Sequence, residues 1–221
     1  MGIITDQLRP KCWILIMSKI YAITAGAVVV ALLSGTFLAT QFGDSDDVFA
    51  SCRASQSAQG AIGGSFELVD ENGVTVTDTD VITGPTLIYF GFTFCPDVCP
   101  LDNMRNAQAV DILDAQGIKV KPVFISIDPE RDTVEVVRDF TDNFHDRMLG
   151  LTGSLEQIRA ASQAYRTYYA KQDSEDEFYL VDHTTMSYLV FPEQGFQEFY
   201  RRDVTAEQMA ESLSCFINAA S

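Results

Sequence analysis

A short apolar run sets the strongest constraint on the fold of this 221-residue chain. The run is TLIYFGF at Thr86–Phe92, and a continuous run of this kind is typical of a strand buried within a sheet. A helical pattern follows at Leu101–Gln116 and ends at Gly117, a residue suited to a helix C-terminus. A second strand pattern, Ile118–Asp128, comes next. The order strand, helix, strand predicts a βαβ unit and therefore an α/β fold.

Further patterns extend this unit on both sides. SFELVDENGVTV at Ser65–Val76 predicts a hairpin with its turn at Asn72-Gly73, and capping signals at Asp132, Ser154 and Thr205 predict three more helices. These helices are predicted to end near Phe144, Tyr169 and Asn218, and the remaining strands are predicted at Leu149–Leu151, Phe178–Val181, Met186–Phe191 and Phe196–Tyr200. The whole order predicts an α/β thioredoxin-like fold, a central mixed sheet flanked by helices.

A membrane anchor is predicted near the N-terminus. Ile20–Ala39 is free of charge over 20 residues, which matches the thickness of a bilayer and exceeds the apolar region of a signal peptide. No convincing A-x-A cleavage site follows directly, so we expect an uncleaved anchor rather than a cleaved signal. Basic residues precede the span and GDSDD follows it, which places the N-terminus in the cytoplasm. We expect a bacterial inner-membrane protein with one span and a periplasmic C-terminal domain.

The anchor divides the chain into four parts. We predict a cytoplasmic N-terminus at 1–19, a transmembrane helix at 20–39, a linker rich in Ser, Gly and Ala at 40–64, and a folded domain at 65–221. Met17-Ser-Lys, directly before the span, resembles a natural translation start, and residues 1–16 would then be an upstream extension.

The acidic charge of the exported part excludes one class of partner. The net charge of −16 combines +2 over residues 1–40 with −18 over the remainder. Such a domain repels phosphate backbones, so we predict no nucleic-acid partner. Nothing in the sequence indicates an oligomer, and we expect a monomeric domain.

Five cysteines are present, four of them in the exported part. Cys12 falls on the cytoplasmic side and carries no predicted role. Cys52 begins the exported part and Cys215 lies in its last helical pattern, so we predict a structural disulfide that joins its two ends.

Cys95 and Cys99 lie in FCPDVCP, directly after the apolar run. A proline disfavours the helical conformation of the residue before it, so both cysteines are predicted to be non-helical, with Cys99 at the N-cap and Pro100 at the first helical position. A helix N-terminus lowers the pKa of a thiol, and nearby apolar residues raise it. The spacing C-x-x-x-C allows three interpretations: a reversible disulfide, a redox-active pair, or part of a metal site.

His183 is the candidate third member of that site. It lies in YLVDHTTMSYLV at the bend between two strand patterns, which predict a hairpin in the same sheet as the strand that carries the cysteine loop. Loops at one end of such a sheet converge, and binding sites form there. Asp182 is a candidate to orient the imidazole, whereas His145 is predicted to be an exposed residue at a helix end. Two thiolates and one imidazole favour Cu(I), Cu(II) or Zn(II), and the lack of a fourth ligand in the sequence favours copper.

Three motifs together resemble the SCO/SenC family of copper-binding assembly factors for cytochrome c oxidase: YFGFTFCPDVCP, VFISIDPERDT and YLVDHTTMSYLV. The resemblance implies a thioredoxin-like fold and one copper ion, Cu(I) or Cu(II), bound by Cys95, Cys99 and His183. It also implies that the partner is cytochrome c oxidase subunit II, whose dinuclear copper site would receive the ion. Asp97 matches the motif and is a candidate to tune the metal.

Two alternatives to a copper chaperone remain open at this point. The protein could be an enzyme, a thiol–disulfide oxidoreductase in which Cys95 and Cys99 reduce the cysteines of the same target and His183 is expendable. It could also be a redox or copper sensor that uses the same site. A further pair in the second motif, Asp128 and Arg131, is predicted to form an ion pair at the rim of the site.

Overall fold

The computed structural model describes residues 26, 29–35, 48–53, 62–173 and 179–220, which belong to two compact units, 1–47 and 48–221. Residues 29–35 of the first unit are helical and exposed. Most of the predicted span Ile20–Ala39 lies outside the described residues, and within them no helix has both the length and the hydropathy needed to cross a bilayer. All that follows concerns the second unit.

The second unit alternates strands and helices along the chain. The strands are β1 (Glu67–Asp70), β2 (Thr75–Thr77), β3 (Thr86–Gly91), β4 (Lys121–Ser126), β5 (Leu149–Thr152), β6 (Tyr169–Lys171), β7 (Val181–His183), β8 (Ser187–Phe191) and β9 (Gly195–Tyr200). The helices are α1 (Asp78–Val81), α2 (Val98–Ala115), α3 (Val134–Thr141), α4 (Leu155–Ala164) and α5 (Ala206–Ala219).

A mixed sheet forms the centre of this unit. Its strand order is β2-β1-β5-β4-β3-β8-β9 among the described residues. Strand β3 pairs in parallel with β4 and antiparallel with β8, and β4 pairs in parallel with β5. The predicted βαβ unit is therefore present, with α2 as its crossover helix. The fold is of the thioredoxin-like α/β type, as the sequence predicts.

Strand β3 lies in the interior of the sheet, between β4 and β8, and is covered on both faces. All six of its residues are buried, and neighbouring side chains contribute to two different core clusters. Leu87 packs with Ala109 of α2 and Met209 of α5, whereas Ile88 belongs to the cluster that contains Ile158 of α4. Each large apolar side chain removed from water contributes about 1.5–3 kcal/mol, so a strand covered on both faces holds the two layers together. The first residue of the loop that follows β3 is therefore held firmly in place.

Glycine marks two of the predicted turns. The β1–β2 hairpin turns at Gly73, which has φ of +78°, and Asp70 accepts the backbone N–H groups of Asn72 and Val74 at 2.9 and 2.8 Å. Helix α2 is followed by Gly117 with φ of +77°, a conformation that residues with a Cβ rarely adopt.

The end of α4 differs from the prediction. The helix stops at Ala164, five residues before the predicted end at Tyr169, and Arg166 adopts a positive φ of 55°. Tyr169 then begins β6, which pairs with β7 in a separate two-stranded sheet. The predicted hairpin of Phe178–Val181 with Met186–Phe191 is therefore wrong, because β7 pairs with β6 and β8 pairs with β3 and β9.

A disulfide joins the beginning of this unit to its last helix. Cys52 and Cys215 are bonded, with their Cα atoms 5.7 Å apart and a sequence separation of 163. Phe49, only 3% exposed, packs against the rings of Phe191 and Phe216 at 5.5 and 5.6 Å between centroids. Residues 48–53, which belong to the predicted linker, are thus held on the core by aromatic and disulfide contacts.

Candidate metal centre

The two cysteines lie at the junction of β3 and α2. Cys95 is in the connecting loop, and α2 begins at Val98, so Cys99 lies in the first helical turn and not at the N-cap. The N-cap is Asp97, whose exposed side chain makes no capping hydrogen bond. Pro100 does not force the helix to begin later, because a residue in the first turn has no intrahelical partner for its N–H group.

His183 completes a group of three potential ligands. It is the last residue of β7, and its Nε2 lies 3.3 Å from the Sγ of Cys99. The two sulfur atoms and the imidazole nitrogen all lie within 4.8 Å of one another. The structure therefore brings together the three residues that the sequence assigns to the site, although they come from a loop, a helix and a separate two-stranded sheet.

The orientation of the imidazole comes from the next residue. His183 Nδ1 lies 3.0 Å from the carbonyl oxygen of Thr184, and a carbonyl only accepts, so Nδ1 carries the proton. Nε2 is then the ring nitrogen that faces the two cysteines and is available to bind a metal. The predicted role of Asp182 is wrong, because its carboxylate instead accepts a hydrogen bond from Gln172 at 2.7 Å.

Aromatic rings and a glycine confine the site on its inner side. The rings of Phe92 and Tyr89 meet the imidazole of His183 edge to face, with centroids 5.7 and 6.3 Å away. A Cβ placed on Gly91 would stand 3.0 Å from the Sγ of Cys99, closer than ordinary contact. Position 91 thus has room only for glycine while the thiol keeps its place.

The two thiols differ in acidity because they interact with each other. A hydrogen bond from the Cys99 thiol is the main cause that lowers the pKa of Cys95, and the backbone N–H of Cys99 also points to the Cys95 sulfur at 3.4 Å. The same bond, together with burial, raises the pKa of Cys99, whose residue is 0% exposed. The pair is best described as a Cys95 thiolate held by a Cys99 thiol.

A buried carboxylate holds the loop that carries Cys95. Asp132 accepts from the hydroxyl and the backbone N–H of Thr93 at 2.6 and 3.1 Å, and from the Ser126 hydroxyl at 2.6 Å. The predicted capping box at Asp132 is therefore wrong, and the N-cap of α3 is Thr133. Desolvation raises the pKa of Asp132, and these hydrogen bonds oppose that rise. Nothing in the sequence indicates this role beyond an acidic residue beside a capping threonine.

Arg131 connects the cysteine loop to the segment before His183. Its guanidinium lies 4.9 Å from the ring centre of Phe94 and 3.5 Å from that of Tyr179, and it pairs with Asp128 at 2.6 Å. The predicted ion pair of Asp128 and Arg131 is confirmed. The stacking of Arg131 on Tyr179 could not be predicted, because the two residues are far apart in the sequence.

The group opens onto a shallow cleft of about 260 Å³. Its walls include Cys95, Asp97, Leu180 and His183. His145 lies elsewhere, and the expectation that it is exposed is wrong: its side chain is 8% exposed, with Nε2 3.6 Å from Asp111. The chemistry available at the cleft is that of two sulfur donors and one imidazole, which together suit a soft or borderline metal ion.

Comparison with known proteins agrees with this geometry. The sequence profile of the family described as SCO1/SenC matches residues 54–218, three quarters of the chain. The chain belongs to the SCO1/SenC family. Within the SCO1/SenC family it is 49% identical to protein SenC of Rhodobacter capsulatus over 205 residues, which cover 92% of this chain and 93% of that protein. The resemblance predicted from the three motifs is thereby confirmed.

Solved SCO1/SenC structures match the second unit. The structure of Arabidopsis thaliana ScoI with copper bound has a TM-score of 0.67 and 42% identity, covering 71% of this chain and 98% of that one. Bradyrhizobium japonicum ScoI with copper bound has a TM-score of 0.64 and 37% identity, covering 70% and 98%. Mitochondrial relatives are longer, and the chain spans about half to three fifths of the length of the first of them.

Proposed function

We propose that this protein binds one copper ion through Cys95, Cys99 and His183 and passes it to the dinuclear copper site of cytochrome c oxidase subunit II. The observation that carries the proposal is the convergence of the three donor atoms within 4.8 Å. Its family membership and the copper-bound relatives support the choice of metal. The role of the family in oxidase assembly supports the choice of recipient.

The donor set suits an ion that is delivered rather than retained. Thiolates stabilise Cu(I), and an added imidazole makes Cu(II) acceptable as well. A permanent structural site would use four protein ligands, whereas here three donors face an open cleft. A recipient can therefore supply the next ligand from the open side. Because Cys99 is held as a thiol, metal binding would release its proton.

Metal counting on the full chain in detergent tests the site. We expect one copper per chain for the wild type, and a loss of affinity of at least about a hundredfold in His183→Ala. The matched control is His145→Ala, which removes the other histidine of the chain and should leave copper binding unchanged. Equal copper retention by both variants would reject the three-ligand site.

A second function, reduction of a disulfide, is favoured by the state of the thiols. Cys95 and Cys99 are free, and the pKa of Cys95 is lowered, which makes it the attacking thiolate. Cys95 would attack one sulfur of the target disulfide and release the other as a thiolate. Cys99 would then attack Cys95, which leaves a Cys95–Cys99 disulfide and a reduced target. Two electrons pass from the pair to the target.

One variant separates the two functions. Reduction of an oxidised subunit II copper-site domain should survive in His183→Ala, whereas copper transfer should be lost. If that variant loses disulfide reduction and copper transfer to the same degree, the two activities are not independent and the oxidoreductase proposal is rejected.

We also propose that residues 20–39 anchor the protein in the bacterial inner membrane, with the second unit in the periplasm. The support is the uncharged 20-residue run and the basic residues before it. Protease added to spheroplasts should digest the second unit, and membranes washed with carbonate should retain the chain. Release of the full-length chain by carbonate would reject the anchor.

A further inference from the structure

We propose that the apolar side chains around the cleft form the docking surface for the copper recipient, and that this recipient presents an apolar face with a basic rim. The surface, which we name the cleft rim, consists of Phe94, Leu101, Met104, Tyr168 and Leu180. The inference deepens the proposed function, on which it rests, because it states which part of the protein recognises the recipient and by what chemistry.

The first argument is where the exposed apolar side chains are. Residues 48–53, 62–173 and 179–220 contain eight large apolar residues that are well exposed, and five of them form the cleft rim. The other three are scattered over distant parts of the chain: Val48, Val74 and Leu155. Single exposed apolar residues are ordinary on a protein surface, but a group around one site indicates an interaction surface.

Two rim residues lie directly at the metal ligands. Leu180 is 41% exposed and lines the cleft together with Cys95 and His183. Phe94 precedes Cys95 in the loop and is 47% exposed even though its ring contacts Arg131. A protein that approaches the cysteines from the open side of the cleft therefore meets these two side chains.

The remaining rim residues extend the surface in two directions. Leu101 and Met104 follow the cleft-lining Val98 at intervals of three residues along α2, so the three lie in one row on the helix. Tyr168 is joined to the residue after His183, because its carbonyl accepts the N–H of Thr184 at 2.9 Å. Leu101 is 59% exposed and Tyr168 63%, so both have most of their side-chain area available.

Charge identifies the kind of recipient. Asp97 and Asp182 are exposed at the cleft, and Asp173 lies beyond them on the exposed stretch after β6. An acidic border around an apolar centre fits a partner with the opposite arrangement, basic residues around an apolar patch.

The transfer reaction requires contact at this position. Ligand exchange can occur only when a donor of the recipient comes within bonding distance of the ion, and the ion would lie between Cys95, Cys99 and His183 at the floor of the cleft. The surface around the cleft is therefore buried in any productive complex, and its apolar side chains would supply the binding energy there.

The test uses the full chain in detergent and, as the probe, the soluble copper-site domain of cytochrome c oxidase subunit II from the same organism. The rim variant is Leu101→Ser with Leu180→Ser. The matched control is Val74→Ser with Leu155→Ser, two residues of similar exposure that lie away from the cleft. All four positions are exposed, so both variants should keep the fold. Transfer rates are compared per bound copper, so that a change in copper content at Leu180 does not enter the comparison.

We expect the rim variant to transfer copper at least about tenfold more slowly than the wild type, and the control to stay within about twofold of it. The transfer rate of the wild type should also fall as sodium chloride rises from about 50 to about 300 mM, because screening weakens an acidic–basic contact. Equal rates for the rim variant and the control, or a rate independent of salt, would overturn the proposal.

The outcomes also separate this inference from the proposed function. If the wild type binds the probe but transfers no copper, and the rim variant has lost binding, the function fails and the surface stands. If the wild type transfers copper and the rim variant does so equally well, the surface fails and the function stands. If the wild type does not bind the probe at all, both proposals fail.

Discussion

Removing the Cys52–Cys215 disulfide should cost a large part of the stability of the second unit. The bond closes a loop with 163 residues of sequence separation, between the start of the unit and its last helix. The chain-entropy relation for a loop of that length gives about 5 kcal/mol of stabilisation at 25 °C. Domains of ordinary stability unfold with roughly 5–15 kcal/mol, so the bond accounts for a third or more of that range.

The variant Cys52→Ser with Cys215→Ser tests this estimate. Both cysteines are replaced together so that no new thiol remains to react. We expect the urea midpoint of the full chain to fall by an amount that corresponds to about 3–5 kcal/mol. The lower figure allows for residual structure in the unfolded chain, which reduces the effect of a cross-link.

Two controls make the measurement specific. Cys12→Ser removes the cysteine outside the second unit and should leave the midpoint unchanged. Copper binding by the double variant should stay near the wild-type affinity, because Cys95, Cys99 and His183 are not joined to the bond. A loss below about 1 kcal/mol would show that the contacts of Phe49 hold the segment and that the loop-closure reasoning is wrong.

Three further outcomes follow from contacts in the structure. Gly91→Ala should weaken copper binding by about tenfold or more in a competition titration, because the new Cβ would meet the Cys99 sulfur, whereas Gly84→Ala, with no atom within 4 Å of its Cβ, should bind normally. Arg131→Lys should lower stability by about 1 kcal/mol in thermal unfolding, since an ammonium cannot reproduce the stacking of a guanidinium, and an unchanged midpoint would contradict that role. Hydrogen bonds from Arg147 lower the pKa of Asp114 to about 2, so its contribution is present at neutral pH and is lost as the pH falls towards that value. Asp114→Asn should therefore cost about 1 kcal/mol at pH 7 and less at pH 3, and a constant difference between the two would refute the electrostatic cause.

The parts of the fold that could be predicted are those where local pattern and burial agree. The apolar run at β3 and the turn glycine Gly73 show this, because every residue of the strand is buried and the turn needs a positive φ. The end of α4 could not be predicted, because pairing of β6 with β7 competes with the helical pattern there. A tertiary contact decided the structure at that point, and local propensity is weak against such contacts.

The site shows the same division. Cys95, Cys99 and His183 could be named from the sequence because their side chains have few alternative uses in such motifs. The partners of those ligands were harder to name. Asp182 is adjacent to His183 in the sequence, yet the carbonyl of Thr184 accepts from the imidazole, and a backbone group cannot be recognised from a sequence. The group that orients a metal-binding side chain thus depends on the path of the backbone around it, which only the folded structure shows.

The three residues of the candidate metal centre are held by elements of unequal stability. Cys95 and Cys99 follow a strand that is paired on both sides, whereas His183 ends a ribbon with three residue pairs. A two-stranded ribbon of this length opens locally at a small fraction of the free energy needed to disrupt the central sheet. We therefore expect the amides of β6 and β7 to exchange with solvent faster than those of β3. In the copper site that we propose, the imidazole would then be the first donor to be lost. The time for which the protein keeps its copper would depend on opening of this ribbon, in which the two cysteines take no part.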